Sequence, residues 1–100
     1  MNMQALMKQA QAMQKDMNNI KNELENTIFE GKSSLVTVKV RGNKDVVEVL
    51  ISDEAKDLIA EDVSMLSDMV VLALNDAFTK VDKTTEEKMG KYSSMMSGLM

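Results

Sequence analysis

The sequence predicts an α+β domain in which a long helix at each end flanks a three-stranded antiparallel sheet. Apolar residues recur at helical spacing over residues 1–26 and again from residue 63, whereas they alternate with polar residues within 27–51. The 100 residues fit a single domain. The predicted elements are a helix over 1–26, the sheet over 27–51, a short helix over 53–59, a long helix over 63–91 and a tail, 92–100, open to fraying.

The first helix carries a heptad seam, in which apolar residues follow one another in alternating steps of three and four over three repeats. The seam packs against the protein's own core or against a second copy; a Met-rich surface for a variable partner and a membrane-lying helix are the alternatives. A helix of about 25 residues is about 37 Å long, more than the ~30 Å width of a compact domain this size. We therefore expect the helix to project or to be covered by a second chain. The seam residues are Met3, Leu6, Ala10, Met13, Met17, Ile20 and Leu24.

The middle of the chain reads as three strands joined by tight turns. The first strand is expected over 27–30, followed by a loop over 31–34, and the second over 35–41. Gly42-Asn43 is a hairpin signal because both residues tolerate positive φ, and the third strand follows over 46–51. One apolar face is predicted to be covered by Leu66, Val70, Ala73 and Ala77 of the long helix. That face consists of Val36, Val38, Val40, Val47, Val49 and Ile51.

Charge is distributed unevenly along the chain. The net charge of −4 argues against a simple basic nucleic-acid binder. Between Asp53 and Asp76, however, seven carboxylates accompany one lysine, whereas the two terminal helices carry seven lysines. A polyanion would therefore meet the ends of the chain, although the same lysines also suit an ordinary solvated face. The candidate contacts are Lys8, Lys15, Lys21, Lys80, Lys83, Lys88 and Lys91.

Composition excludes most catalytic chemistry. The chain has no Cys and no His, so thiolate nucleophiles, thiol-bound metals and the commonest general base are absent. The acidic stretch lacks a calcium-loop pattern, and we expect a solvated surface that repels DNA. We predict no catalytic residue, cofactor, metal or small-molecule substrate. With no signal peptide and no apolar run of about 20 residues, we expect a cytoplasmic protein that does not enter a membrane.

Three short strings resemble one known family. They are Leu6-Met7-Lys8-Gln9-Ala10-Gln11-Ala12-Met13-Gln14 in the first helix, Asn75-Asp76-Ala77 in the last helix, and Lys88-Met89 further along that same helix. In this order and spacing the chain resembles the YbaB/EbfC family over nearly its whole length. The resemblance implies a tweezer-like homodimer, with the sheets at the centre and the long helices as projecting arms. It also implies association with the bacterial nucleoid and DNA binding with little sequence preference.

The resemblance implies a nucleoid-associated protein that alters DNA conformation and contributes to nucleoid organisation and gene regulation, and the placement of the lysines favours binding of double-stranded DNA through its phosphates. Lysines of the two terminal helices would supply the contacts. Arg41 is the only arginine, so bidentate reading of guanine is nearly unavailable. The alternative is an adaptor dimer that grips another protein with its exposed helices and does not bind DNA. Asn75-Asp76 is expected to cap a helix or to bridge it to the sheet.

Overall fold

A computed structural model describes the backbone of residues 2–99 and the side chains of residues 2–90. The predicted order of elements and the α+β class are confirmed. The chain folds as α1 (Met3–Asn26), β1 (Ile28–Ser33), β2 (Val36–Arg41), β3 (Val46–Ile51), α2 (Ala55–Glu61) and α3 (Val63–Leu99).

Helix α1 begins at a side-chain cap and ends against the sheet. The Asn2 side-chain oxygen accepts hydrogen bonds from the backbone N–H groups of Gln4 and Ala5, at 3.1 and 3.4 Å. At the other end Leu24 is buried. A Cβ atom on Gly42 would lie 2.5 Å from the carbonyl carbon of Leu24, so only glycine allows the second hairpin to approach the helix this closely.

The sheet is antiparallel in the order β1-β2-β3, and β1 is longer than predicted. Gly31, where the sequence predicts the strand to end, pairs with Val38, and the strand continues to Ser33. The actual turn is Ser34-Leu35, with Ser34 at a φ of 51°. The glycine serves close packing within the strand rather than a turn, which alternation along the chain does not reveal.

The β2–β3 turn also differs from the prediction. Lys44 donates a backbone hydrogen bond to the carbonyl of Arg41, and Arg41 donates one to the carbonyl of Asp45, each at 2.8 Å. The loop therefore spans three residues, 42–44, rather than two. Lys44 has the positive φ, 72°, whereas Gly42 and Asn43 do not. This is the turn-plus-bulge form of a hairpin, in which the last loop residue takes the left-handed conformation.

Helix α3 packs across β1 and β2 to form the core. Small residues on the helix and valines on β2 allow the two layers to approach closely. Leu66 and Val70 of α3 are half-buried against this cluster. The half of the predicted apolar face that lies on β2 is thus confirmed, together with its covering helix. The buried cluster consists of Val36, Val38, Val40, Ala73, Ala77 and Val81.

The prediction that the β3 residues of this apolar face are buried is wrong. Val49 pairs with Val38 and Ile51 pairs with Val36, so both lie on the helix side of the sheet as expected. Helix α3 nevertheless packs on β1 and β2, and every residue of β3 stays exposed. Its apolar side chains are 42 to 48% exposed. We call them the β3 surface, and they are Val46, Val47, Val49, Leu50 and Ile51.

The last two helices differ slightly from their predicted bounds. Helix α2 begins later than predicted, and helix α3 runs further. Helix α2 begins at Ala55 rather than at 53, because residues 53 and 54 form a turn after Ser52. Asp62 caps α3, since its carboxylate accepts a hydrogen bond from the backbone N–H of Ser64 at 3.0 Å. Helix α3 continues past the predicted end at 91 to Leu99 in a segment without proline. The predicted tail, 92–100, has its side chains outside the described residues.

The molecule is strongly elongated. Its principal extents are 72 × 21 × 13 Å and its radius of gyration is 19.9 Å. A compact domain of 100 residues would have a radius of gyration of about 13 Å. Most of α1 is exposed, and only its C-terminal part is well covered by the rest of the chain. This confirms that α1 is too long to be covered by its own domain, and it projects.

Candidate nucleic-acid interface

Three of the predicted cations lie along the projecting helix. Lys8, Lys15 and Lys21 of α1 are all exposed. Lys8 and Lys15 are seven residues apart, which places them on one side of the helix about 10 Å from each other along its axis. Within the part of the chain whose side chains are described, no ion pair involves these three lysines. They are therefore available to a polyanion.

The lysines of α3 have more varied surroundings. Lys80 Nζ donates a hydrogen bond to the backbone carbonyl of Glu30 at 2.9 Å and lies 3.3 Å from the carboxylate of Asp76. Lys88 Nζ lies 4.0 Å from the Glu23 carboxylate of α1, whereas Lys83 is exposed. Lys80 thus bridges helix to sheet, which competes with a phosphate contact. The side chain of Lys91, the last predicted contact, lies outside the described residues.

Asp76 joins the last helix to the first strand. Its carboxylate accepts a hydrogen bond from the backbone N–H of Lys32 at 3.0 Å. This hydrogen bond, and then the neighbouring Lys80 ammonium, hold the pKa of Asp76 below its ordinary value. The prediction that the Asn75-Asp76 pair bridges to the sheet is confirmed for Asp76. Its role is structural, because the same carboxylate fixes both β1 and Lys80.

The sheet adds cations that the sequence prediction missed. On β2, Lys39 and Arg41 alternate with the buried valines and so lie on the face away from α3. Lys32 of β1 pairs with Thr37 on the same face. Lys39 Nζ is 4.0 Å from the Glu48 carboxylate of β3, so it is partly compensated. The alternation of valines with Lys39 and Arg41 is the sequence signal that identifies these cations, whereas the predicted contacts lie on helices alone.

The heptad seam of α1 is covered only at one end. Leu24 is 5% exposed, whereas Met3 at the far end is 70% exposed. Between them, Met13, Met17 and Ile20 are half-buried, and Leu6 and Ala10 are exposed. The C-terminal half of the seam therefore serves the core of the chain itself, and the N-terminal half faces outward.

The acidic stretch lies on elements other than α1. Its carboxylates are carried by α2, the loops beside it and the first half of α3. Among the described residues, no three acidic, His or Cys side chains come together as metal ligands. In the same part of the chain, no helix combines the length and apolar character needed to cross a bilayer.

Comparison with known proteins gives consistent matches along the chain. The model of the YbaB/EbfC DNA-binding family matches residues 1–96. A nucleoid-associated protein of Ligilactobacillus salivarius is 46% identical over 99% of this chain and 95% of its own length. A nucleoid-associated protein of Bacillus licheniformis is 49% identical over 96% of this chain and 90% of its own length.

A solved structure supports the fold. The crystal structure of an uncharacterized Helicobacter pylori protein superposes with a TM-score of 0.73 and 22% sequence identity. The superposition covers 92% of this chain and 97% of the Helicobacter pylori chain. At this identity the likeness concerns the arrangement of helices and strands alone.

Proposed function

Because this chain belongs to the YbaB/EbfC DNA-binding family, we propose that it is a nucleoid-associated protein that binds double-stranded DNA as a homodimer. Binding occurs mainly through the phosphate backbone, alters the path of the duplex, and contributes to nucleoid organisation and gene regulation. The relatives are named nucleoid-associated proteins, which supports the association of this chain with the nucleoid. Membership of a DNA-binding family also confirms that the chain is not an enzyme.

The observation that carries the proposal is the row of unpaired lysines on α1. A lysine is a compact charge on a flexible stem, so Lys8 and Lys15 can reach phosphates without fixing a sequence register. Each phosphate neutralised releases counterions, which makes the affinity depend steeply on salt. Lys21 and Lys83 extend the same interface. Lys80 and Lys88 contribute less, because each is already held beside a carboxylate.

The β3 surface supports the homodimer. Within the described residues strand β3 pairs with β2 alone, so its outer edge carries backbone groups that no other described strand pairs with. An exposed apolar edge strand of six residues favours pairing with another chain. A second copy meeting it about a two-fold axis covers both β3 surfaces at once. The sheets then lie at the centre and the two α1 helices project.

A duplex titration tests DNA binding. Purified protein is titrated with random-sequence duplex at about 50 mM and about 200 mM salt, where several phosphate contacts give a large loss of affinity. Replacing both Lys8 and Lys15 by Glu should weaken binding to all sequences about tenfold or more at the lower salt. For every phosphate that the variant no longer neutralises, the slope of log affinity against log salt should fall by about 0.9. Dimerisation should not change.

A matched control separates contact from net charge. Lys15→Glu and Lys56→Glu change the charge equally, but Lys56 lies in the acidic stretch and pairs with Asp53 at 3.8 Å. Only the first should reduce the salt slope. Equal effects would remove the contact role of α1. A parent protein that does not bind even at low salt would instead favour the adaptor function, to which the net charge of −4 already points.

Light scattering tests the homodimer. The parent protein should have twice the chain mass of 11.1 kDa at micromolar concentration. Val49→Lys places a charge in the centre of the β3 surface and should shift the mass toward the monomer. A parent mass of a single chain would contradict the dimer. A dimeric Val49→Lys variant would place the interface elsewhere.

A further inference from the structure

We propose that the outer end of α1 is a second self-association surface. Through it, an α1 helix of one DNA-bound dimer pairs with an α1 helix of the next dimer. The inference rests on the proposed homodimer. We call this surface the arm tip and define it as Met3, Leu6, Met7 and Ala10. The occupant to which the proposal commits is a second copy of the same helix.

The first reason is that the apolar seam extends beyond the part of α1 that the rest of the chain covers. The apolar heptad pattern continues unbroken from Leu24 to Met3, yet exposure rises from 5% to 70% between these residues. The chain thus keeps a coiled-coil pattern where no part of its described structure uses it. Heptad seams of this kind are buried by pairing with another helix.

The second reason is distance from the dimer surface. Leu24 packs at the sheet, and Met3 is 21 residues away along the helix, or about 31 Å at the ordinary rise per residue. Helix α1 packs mainly on α3 and β2. A symmetric contact centred on the β3 surface therefore leaves the arm tips free. Each dimer then presents two further apolar ends.

The third reason is charge. Two copies of a helix repel each other when like charges flank the seam. From residue 3 to residue 15, the positions within the seam and beside it carry no charged side chain, and the flanking polar residues are glutamines. The only charges in this segment, Lys8 and Lys15, lie opposite the seam. Two arm tips can therefore pair while both lysines still face DNA.

The size of the contact sets its strength. About one heptad of helix pairing, from Met3 to Ala10, buries less than the ~1,200 Å² typical of stable interfaces, so the isolated contact is weak and transient. Neighbouring dimers on one duplex are held at high effective concentration, which strengthens a weak interaction without any additional contact. The expected consequence is cooperative coating of long DNA, or bridging of two duplexes.

A seam variant with a charge-matched control tests the proposal. Leu6→Glu adds one negative charge to the arm tip, and Gln4→Glu adds the same charge to an exposed position off the seam. Both should stay dimeric and bind alike to a short duplex that holds one dimer. On a long duplex the parent and Gln4→Glu should bind cooperatively, by about fivefold or more per neighbour, and Leu6→Glu should not. Met3→Glu should repeat the loss.

Cross-linking gives a second measurement. The chain has no cysteine, so a single introduced thiol reports its own neighbours. Ala10→Cys, on the seam, should form a disulfide between copies at high protein concentration, whereas Ala12→Cys, off the seam, should not. This measurement needs no DNA, so it stands even if the proposed DNA binding fails.

Two results would overturn the inference. Monomeric Leu6→Glu protein would assign the arm tip to the primary dimer interface rather than to a second one. Alternatively, Leu6→Glu and Gln4→Glu could match in cooperativity while Ala10→Cys and Ala12→Cys cross-link equally slowly. In that case the outer seam has no self-association role.

Discussion

Replacing Gly31 with alanine tests how closely α3 approaches the sheet. A Cβ atom at this position would lie 2.5 Å from the backbone nitrogen of Ala77 and 2.6 Å from its Cβ. Ordinary carbon contacts are about 3.5–4.0 Å, so α3 must lift from β1 by about an ångström. Backbone atoms cannot rotate away as a side chain can. The lift loosens the layer that buries Val38 and Val81 as well.

The expected cost is substantial for a domain this small. Overpacking a tight contact costs about 1–3 kcal/mol, and rigid neighbours favour the upper end. Alanine offsets part of this, about 0.4–1 kcal/mol, by restricting the unfolded chain. A net loss of about 2 kcal/mol lowers the melting temperature by about 8–16 °C in a domain of this size.

Thermal unfolding followed by circular dichroism at fixed protein concentration measures the change. Gly90→Ala is the matched control, because a Cβ at Gly90 meets nothing within 4 Å. This variant should gain about 0.5–1 kcal/mol, since glycine is unfavourable inside a helix. If Gly31→Ala has the melting temperature of the parent protein, the close approach of α3 to β1 is wrong. The same conclusion follows if the melting temperatures of both variants change in the same direction.

Two further predictions concern single positions. Ser34→Gly should raise the free energy of unfolding by about 0.5–1 kcal/mol, because Ser34 has a φ of 51° and glycine adopts this conformation without a Cβ clash; unchanged urea midpoints would contradict this. Asp76→Asn should destabilise the protein at neutral pH and flatten the acid end of its pH–stability curve. The folded pKa of Asp76 is lowered, so its contribution is complete above the ordinary aspartate pKa and is lost as the pH falls through the lowered value. An acid limb as steep as the parent's would assign the loss to other carboxylates.

Local patterns predict most of the fold. The heptad spacing predicted α1, the alternation predicted β2 and β3, and the length of α1 indicated that it projects. The cover of β3 could not be predicted, because alternation identifies the apolar face of a strand but not the element that covers it. Gly31 was misassigned for a related reason. A glycine that ends a strand and one that lies beneath a helix look the same in sequence.

The candidate site is predictable to a similar extent. Exposure of Lys8 and Lys15 follows from their heptad position opposite the seam. The bridge made by Lys80 requires Glu30, which is fifty residues away along the chain and comes near only through the packing of α3 on β1. The cations of the open sheet face also depend on strand register. Sequence thus locates cations on helices but does not identify those that tertiary contacts already hold.

The acidic stretch should orient DNA without touching it. Asp57 and Glu61 lie on α2, beside the start of α3, and Lys83 is about 30 Å further along α3. This separation is nearly four Debye lengths, of about 8 Å each, near physiological salt, and about one at 10 mM salt. Replacing both carboxylates with their amides should therefore strengthen DNA binding a few-fold at about 10 mM salt, where the Debye length is about 30 Å, and hardly at all at about 0.15 M.

The salt dependence of this gain distinguishes repulsion at a distance from contact. Fluorescence anisotropy with random duplex measures the gain at each salt concentration, and Lys8→Glu with Lys15→Glu serves as the opposite case. A gain that persists at high salt would mean that DNA passes within a few ångströms of Asp57 and Glu61. The duplex would then lie across α2 and not along α1, and the lysines of the arm would no longer explain binding.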